Sequence, residues 1–201
     1  MLSGPMPADL LAALRAALAA PRPPAAATRP GVASAVLVPL FEQDGALHLL
    51  YTTRSAALPT HAGQVSFPGG RHSSERDATL LATALRETEE EIGVGPGDVD
   101  VLGALDPIHT FSSNFLITPF VGRIPHPYAF RPDPREVHDV FSIPLAVLDD
   151  PANVVAETWT IDGRSIPVTS YRHDGRTIWG ATQRITASLL DLLTAIRADQ
   201  D

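Results

Sequence analysis

The feature that most narrows the folds open to this chain is one amphipathic, acid-rich stretch in mid-chain, Asp77 to Ile92, with apolar runs of strand length on both sides. Ser34–Phe41 and Leu47–Thr53 flank the turn-forming Asp44-Gly45 pair and predict a β-hairpin. Gln64–Phe67 predicts a short strand, followed by a Gly69-Gly70 turn and then the helix. Beyond it, Val99–Leu105, Leu116–Ile124, Val137–Phe141 and Trp159–Val168 read as further strands, with Pro125, Pro127, Pro132 and Pro134 marking a long loop. A final helix is predicted over Ala181–Ala198, where Ile185, Leu189, Leu192, Leu193 and Ile196 recur at helical spacing. A chain ordered in this way is neither a helical bundle nor all-β. It predicts an α/β or α+β sandwich around a mixed sheet.

The N-terminal segment stands apart. Ala8–Ala20 carries Leu10, Leu11, Leu14 and Leu18 as an apolar stripe and ends at Pro21, after which Pro21, Pro23, Pro24 and Pro30 predict a stiff, extended linker. Residues 1–30 are therefore expected as a satellite helix plus linker, and residues 31–198 as the main domain. No basic segment precedes an apolar run at the N-terminus, and Arg15 interrupts the best candidate, so neither a signal peptide nor a membrane span is expected. The expectation is a cytoplasmic protein, monomer or homodimer.

Composition restricts the chemistry. All fifteen basic residues are arginine and there is no cysteine, which removes Schiff-base, thiolate, disulfide, zinc–cysteine and P-loop lysine mechanisms. A formal charge of -8 argues against a general nucleic-acid binder. Carboxylates, histidine, hydroxyls, backbone groups or a metal must carry any reaction.

On a helix advancing about 100° per residue, Ala78, Leu81, Ala82, Leu85 and Ile92 fall on one face and Glu87, Glu90 and Glu91 on the opposite one. Like charges three and four residues apart destabilise a helix by themselves. Hard oxygen ligands at that density suit a divalent cation such as Mg2+ or Mn2+, although an acidic run is also how a plain solvated face looks. Arg86 can hold a neighbouring carboxylate through its planar fork. His109, His126, His138 and His173 lack paired metal spacing and read as surface or loop residues, while Trp159 and Trp179 read as core aromatics.

The run Arg86-Glu87-Thr88-Glu89-Glu90-Glu91-Ile92-Gly93-Val94 resembles the second half of the Nudix box, with Thr88 at a usually apolar position and Gly70 like the glycine that opens the box. The box places an acid six residues after its glycine and eight before its arginine; here those positions hold Arg76 and Ala78. Gly70 and Arg86 are sixteen apart instead of fourteen, so the turn is two residues longer, with Asp77 or Glu75 standing in for the missing acid.

Leu50–Ser55 and Leu58–Gly70 are similar to the signature of coenzyme A pyrophosphatases within that family, as are Thr118–Val121, Glu136-Val137 and Ile178–Thr182. The resemblance covers about residues 32–193. It implies a Nudix α/β/α sandwich and a metal-dependent hydrolase that cleaves the pyrophosphate of coenzyme A or its derivatives to 3',5'-ADP and 4'-phosphopantetheine or its acyl form. It further implies Glu87 and Glu91 as main metal ligands, Glu90 as ligand or base, the Gly69 carbonyl as an additional ligand and Arg86 as orienter. Glu136 is a candidate catalytic or metal-binding acid. Arg54 is a charge-assisted phosphate donor, and Ser55, His61, Gln64 and Gly70 complete the substrate contacts. Two alternatives remain: a Nudix pyrophosphatase acting on ADP-ribose, NADH or another nucleoside diphosphate derivative, and a non-catalytic nucleotide-sensing module.

Overall fold

A computed structural model describes residues 8–20, 31–110, 114–161 and 163–199. The first part of the chain forms α1 (Ala8–Ala19), β1 (Val32–Gln43), β2 (Ala46–Arg54), β3 (Val65–Ser66), β4 (Gly69–Arg71) and α2 (Leu80–Ile92). It continues through β5 (Asp100–Ala104), β6 (Ile108–His109), β7 (Phe115–Arg123), β8 (Val137–Pro144) and the single turn α3 (Leu145–Leu148). The hairpin β9 (Val154–Ile161) and β10 (Arg164–His173), then β11 (Arg176–Ile178) and α4 (Gly180–Ala198), complete it. The proline-rich linker expected over 21–30 lies outside the described residues.

Strand β1 organises the main sheet. It runs parallel to β7 from Val32/Phe115 to Leu40/Arg123, antiparallel to β2 at its C-terminal end, and antiparallel to β4 at its N-terminal end. Its side chains alternate between two cores, as the two-residue period of a strand requires. Val38 and Leu40, with Leu49 and Tyr51 of β2, pack against Leu14 and Leu18 of α1 and Ile185, Leu189 and Leu193 of α4. Phe41 and Leu50 face the other way, onto Ile92 at the end of α2. Helices therefore cover both faces of a mixed sheet, which is the expected sandwich. A buried bond between Tyr51 Oη and Thr186 Oγ1 (2.9 Å) fixes α4 to β2.

Several expectations change. The satellite helix α1 shares the principal core, and Arg15 ties it to β5 through Asp100 (2.7 Å) and the Val101 carbonyl (2.7 Å). The single strand expected at Trp159–Val168 is the end of the β9–β10 hairpin, which reverses near Gly163. Gly69-Gly70 is a strand paired to β1 and not a turn. The mid-chain helix starts at Leu80, capped by the Thr79 hydroxyl on the Ala82 amide, so Asp77 precedes it. Trp159 and Trp179 are half-exposed and pack on each other, with ring centroids 5.1 Å apart, on the small three-stranded sheet. No helix among the described residues is long and apolar enough to cross a membrane.

Since Leu14 is fully buried in the main core, Leu14→Ala is expected to cost about 2–5 kcal/mol of stability. Thermal unfolding measures it; an unchanged midpoint would mean that α1 docks only peripherally.

Candidate active site

The face that α2 presents to the sheet is not its apolar one. Thr83, Ala84, Thr88, Glu91 and Ile92 are buried there, while Leu81 and Leu85, expected in the core, are half-exposed. Two threonines and a glutamate can occupy a packed face only if their polar atoms find partners. Thr88 Oγ1 donates back to the Ala84 carbonyl (2.7 Å), which accounts for a hydroxyl where the box is usually apolar. Thr83 and Glu91 find theirs beyond the helix.

Glu91 lies 5% exposed beneath β4 and accepts a hydrogen bond from the Gly69 amide. The end bonds of the β1–β4 ladder, Leu37 N–H to Pro68 O and His72 N–H to Ala33 O, make Ala35/Gly70 the hydrogen-bonded pair and Val36/Gly69 the open one. The Gly69 amide and carbonyl are thereby left out of the β1 ladder. Only glycine fits at 69, where φ is 152° and a Cβ would strike the Ala35 carbonyl, while a Cβ on Gly70 would lie 2.6 Å from the Glu87 carboxyl carbon and displace that side chain. Glu87 and Glu91, one turn apart, are thus pressed against the backbone of β4.

The identity of the acid that pairs with Arg86 is clear. Asp77, 2% exposed in its side chain, receives Nε on Oδ1 (2.8 Å) and Nη2 on Oδ2 (2.9 Å). The same guanidinium reaches Glu87 Oε1 (2.8 Å) and Glu90 Oε2 (2.7 Å). These bonds hold the Asp77 carboxyl far below the usual carboxylate range, and Arg86 correspondingly above its own. Glu75 is exposed and takes no part in this pair.

Glu90 departs from the expected patch of three. Its side chain is 48% exposed, and its oxygens are engaged by Arg76 (2.7 Å) and Arg86. Among the described residues no group of three His, Cys, Asp or Glu forms a ready metal cage. What the structure does gather is Glu87, Glu91, Glu136 and Arg54. The C-terminal end of α2 carries the proline-rich loop, with Arg131 N–H on Ile92 O and Asp133 N–H on Glu91 O (both 2.9 Å), and this delivers exposed Glu136 to the neighbourhood of Glu91. Arg54 ends β2, and its amide and carbonyl bond Gln64 O and Gly63 N; the next amide, of Ser55, bonds Glu136 O. The 55–64 loop and Glu136 thus share one base. Within that loop Ser55 is buried, accepting from the Ala57 amide, and exposed His61 pairs with Gln64 (3.0 Å).

Burial pushes the Glu91 carboxyl up to about 8; Arg54 pulls it down, Glu136 and Glu87 push it up, and the Gly69 amide pulls it down. A buried carboxylate flanked by like charges, with a glycine carbonyl left outside the β1 ladder, is a donor set that suits a hard divalent cation. The Arg54 Nε is buried without a partner among the described residues, as a donor for an anionic ligand would be.

Sequence reasoning passed over Thr83 and His72, which bond each other (2.8 Å) behind Asp77. The signal was present: a threonine at 83 interrupts the otherwise small and apolar residues between Leu80 and Leu85.

The NUDIX domain model matches residues 31–162. An uncharacterized Nudix hydrolase, NudL, of Photorhabdus laumondii is 37% identical over 156 residues, 78% of this chain and 82% of that protein. The peroxisomal coenzyme A diphosphatase NUDT7 of Mus musculus is 40% identical over 129 residues, 64% of this chain, which spans only 54% of that relative's length. Among solved structures, a MutT/nudix family protein from Enterococcus faecalis superposes with a TM-score of 0.54 at 13% identity, over 86% of this chain and 66% of that one, a likeness of fold alone.

The raised Glu91 value makes a prediction for the metal-free protein. The unfolded chain ionises this group near 4.5 and the folded chain near 8. Its contribution is therefore complete below the lower value and is lost as the pH rises through the upper one. Glu91→Gln is expected to melt higher than wild type at pH 8.5, by the order of 5 °C, with a smaller advantage at pH 6; equal midpoints at both pH values would contradict the burial of this charge.

Proposed function

Because the chain belongs to the NUDIX domain family of hydrolases and is similar to its coenzyme A pyrophosphatase group, we propose that it cleaves the pyrophosphate of coenzyme A or an acyl derivative, releasing 3',5'-ADP and the corresponding 4'-phosphopantetheine. Nudix hydrolases act on small nucleotide substrates. The observation that carries the finer assignment is the junction of two sequence segments. Arg54, from the 50–70 stretch that resembles the coenzyme A signature, lies close enough to Glu91 to shift its ionisation.

Glu87, Glu91 and the Gly69 carbonyl would hold the divalent cation, Mg2+ or Mn2+, that Nudix enzymes generally use. When bound, the cation supplies charge neutralisation and alignment of the diphosphate oxygens. Asp77 and Arg86 fix the Glu87 carboxylate against Gly70 and so define where those oxygens sit. The Arg54 guanidinium donates to a phosphate oxygen through its planar fork. Glu136, exposed and next to Glu91, is placed to accept the proton of the attacking water. Glu90 holds Arg86 from the solvent side and enters the ligand set only if Arg76 and Arg86 release it. Residues 31–198 form the catalytic unit, with α1 completing its core.

Incubation with Mg2+ or Mn2+ and a panel of coenzyme A, acetyl-coenzyme A, NADH, ADP-ribose and dGTP tests the assignment, with products separated by chromatography. Coenzyme A is expected to yield 3',5'-ADP with the highest kcat/KM, and Glu87→Gln to lower kcat by about 100-fold or more. Consumption of another substrate while coenzyme A survives would overturn the substrate; no turnover of any of them, with nucleotide still bound, would favour a sensing module.

A further inference from the structure

The Thr83 hydroxyl has two acceptors within reach and lies closer to the one more distant in sequence. A threonine inside a helix ordinarily donates to the carbonyl four residues back, yet Thr83 Oγ1 is 3.4 Å from Thr79 O and 2.9 Å from Asp77 Oδ2. It also lies 2.8 Å from His72 Nδ1. The polarity of the chain follows. Asp77 is held ionised by Arg86 and can only accept, so the hydroxyl proton points to Asp77 and the hydroxyl lone pair accepts from a protonated His72 Nδ1. One line of contacts then joins the sheet to the site: His72 Nδ1–H donates to Thr83 Oγ1 and Thr83 Oγ1–H to Asp77 Oδ2, and Asp77 also accepts from the Arg86 guanidinium, which donates in turn to Glu87 Oε1.

The geometry points to Thr83 and His72 as positioning residues for the proposed metal carboxylate Glu87, acting through Asp77 and Arg86. The lengthened turn makes this pair necessary. Asp77 lies ahead of Leu80, its amide held by Ser73 O (2.8 Å), and among the described residues its carboxylate is oriented by side-chain bonds: two from Arg86 and one from Thr83. Arg86 itself is shared by three acids, and with Asp77 free to turn, the guanidinium plane would follow Glu87 and Glu90 instead of setting them. His72 is anchored for its part by its own amide on Ala33 O (2.9 Å), so the line begins on the sheet and reaches the site through α2.

The inference rests on Glu87 as a metal ligand, and its test is separable from that assignment. Mn2+ binding is measured directly by electron paramagnetic resonance titration, beside kcat and KM for the diphosphate substrate and the thermal midpoint. Thr83→Val is expected to fold, to bind Mn2+ about tenfold more weakly and to lose kcat by a similar factor with KM unchanged. Thr83→Ser, which restores the hydroxyl, should recover Mn2+ affinity close to wild type. A merely structural hydroxyl would lower the midpoint and leave Mn2+ affinity alone. Should Thr83→Val not fold, His72→Phe removes the donor from a half-exposed position and is expected to weaken Mn2+ binding in the same direction. Wild-type Mn2+ affinity in whichever of these variants folds, or failure of Thr83→Ser to recover it, overturns the positioning role. If Glu87→Gln itself binds Mn2+ like wild type, the metal assignment has failed instead.

Discussion

The site depends on one guanidinium divided among three carboxylates. Arg86 gives Asp77 two bonds and Glu87 and Glu90 one each. A pair as buried as Asp77–Arg86 gains little net stability over an apolar substitute, since desolvation offsets much of the attraction, but losing one partner strands the other. Its value lies in geometry. A planar fork on a helix, locked to a loop acid, leaves Glu87 little freedom except against Gly70. The charge count stays unbalanced, three acids to the two bases Arg86 and Arg76 before Glu91 and Glu136 are added, and a divalent cation would relieve that imbalance.

The sheet converts this local arrangement into a site. Strand β1 pairs with β4 through only three residues, yet that register leaves the Gly69 amide and carbonyl unpaired by β1, and it brings Gly70 against Glu87 with no room for a side chain. The loop that carries Glu136 is held by backbone bonds from the carbonyls at the end of α2, so a move of α2 would shift both acids together. Packing of Ile92 on Phe41 and Leu50 fixes the depth of the helix and, with it, the burial of Glu91.

The architecture was legible in the sequence wherever local patterns decide it: the hairpin at Asp44-Gly45, the mixed sheet, the C-terminal helix, and the acids of the mid-chain helix. The orientation of that helix was not. A wheel drawn on hydrophobicity sends Leu81 and Leu85 inward and Glu87, Glu90 and Glu91 outward, whereas the structure buries Thr88, whose hydroxyl bonds the Ala84 carbonyl within the helix, and Thr83 and Glu91, whose partners lie outside the helix and only the tertiary fold supplies. The same limit explains Glu90, whose spacing matches its neighbours but whose partners, Arg76 and Arg86, draw it outward. The β9–β10 hairpin replaces the single strand expected at Trp159–Val168, and the signal for it in the sequence is the Asp-Gly dipeptide at 162–163. Asp77 was a candidate for Arg86 from its place in the lengthened turn, and burial beside the guanidinium decided between it and Glu75.

An arginine-only composition now has a physical consequence. The cations in and around the site, Arg54, Arg76 and Arg86, are all guanidinium groups, and the one at the centre, Arg86, is held further toward its charged form by Asp77 and Glu87. Protonation of the acid set therefore falls to the carboxylates, above all to Glu91, whose burial sets its ionisation against that of its neighbours. A lysine in place of Arg54 would offer a compact charge without the fork, and in place of Arg86 it could not reach three acids in one plane. If the site takes a diphosphate and a divalent cation as proposed, fixed positive charge beside acids that resist ionising together would hold the diphosphate weakly alone and more strongly with the cation, so the two are expected to bind cooperatively rather than independently.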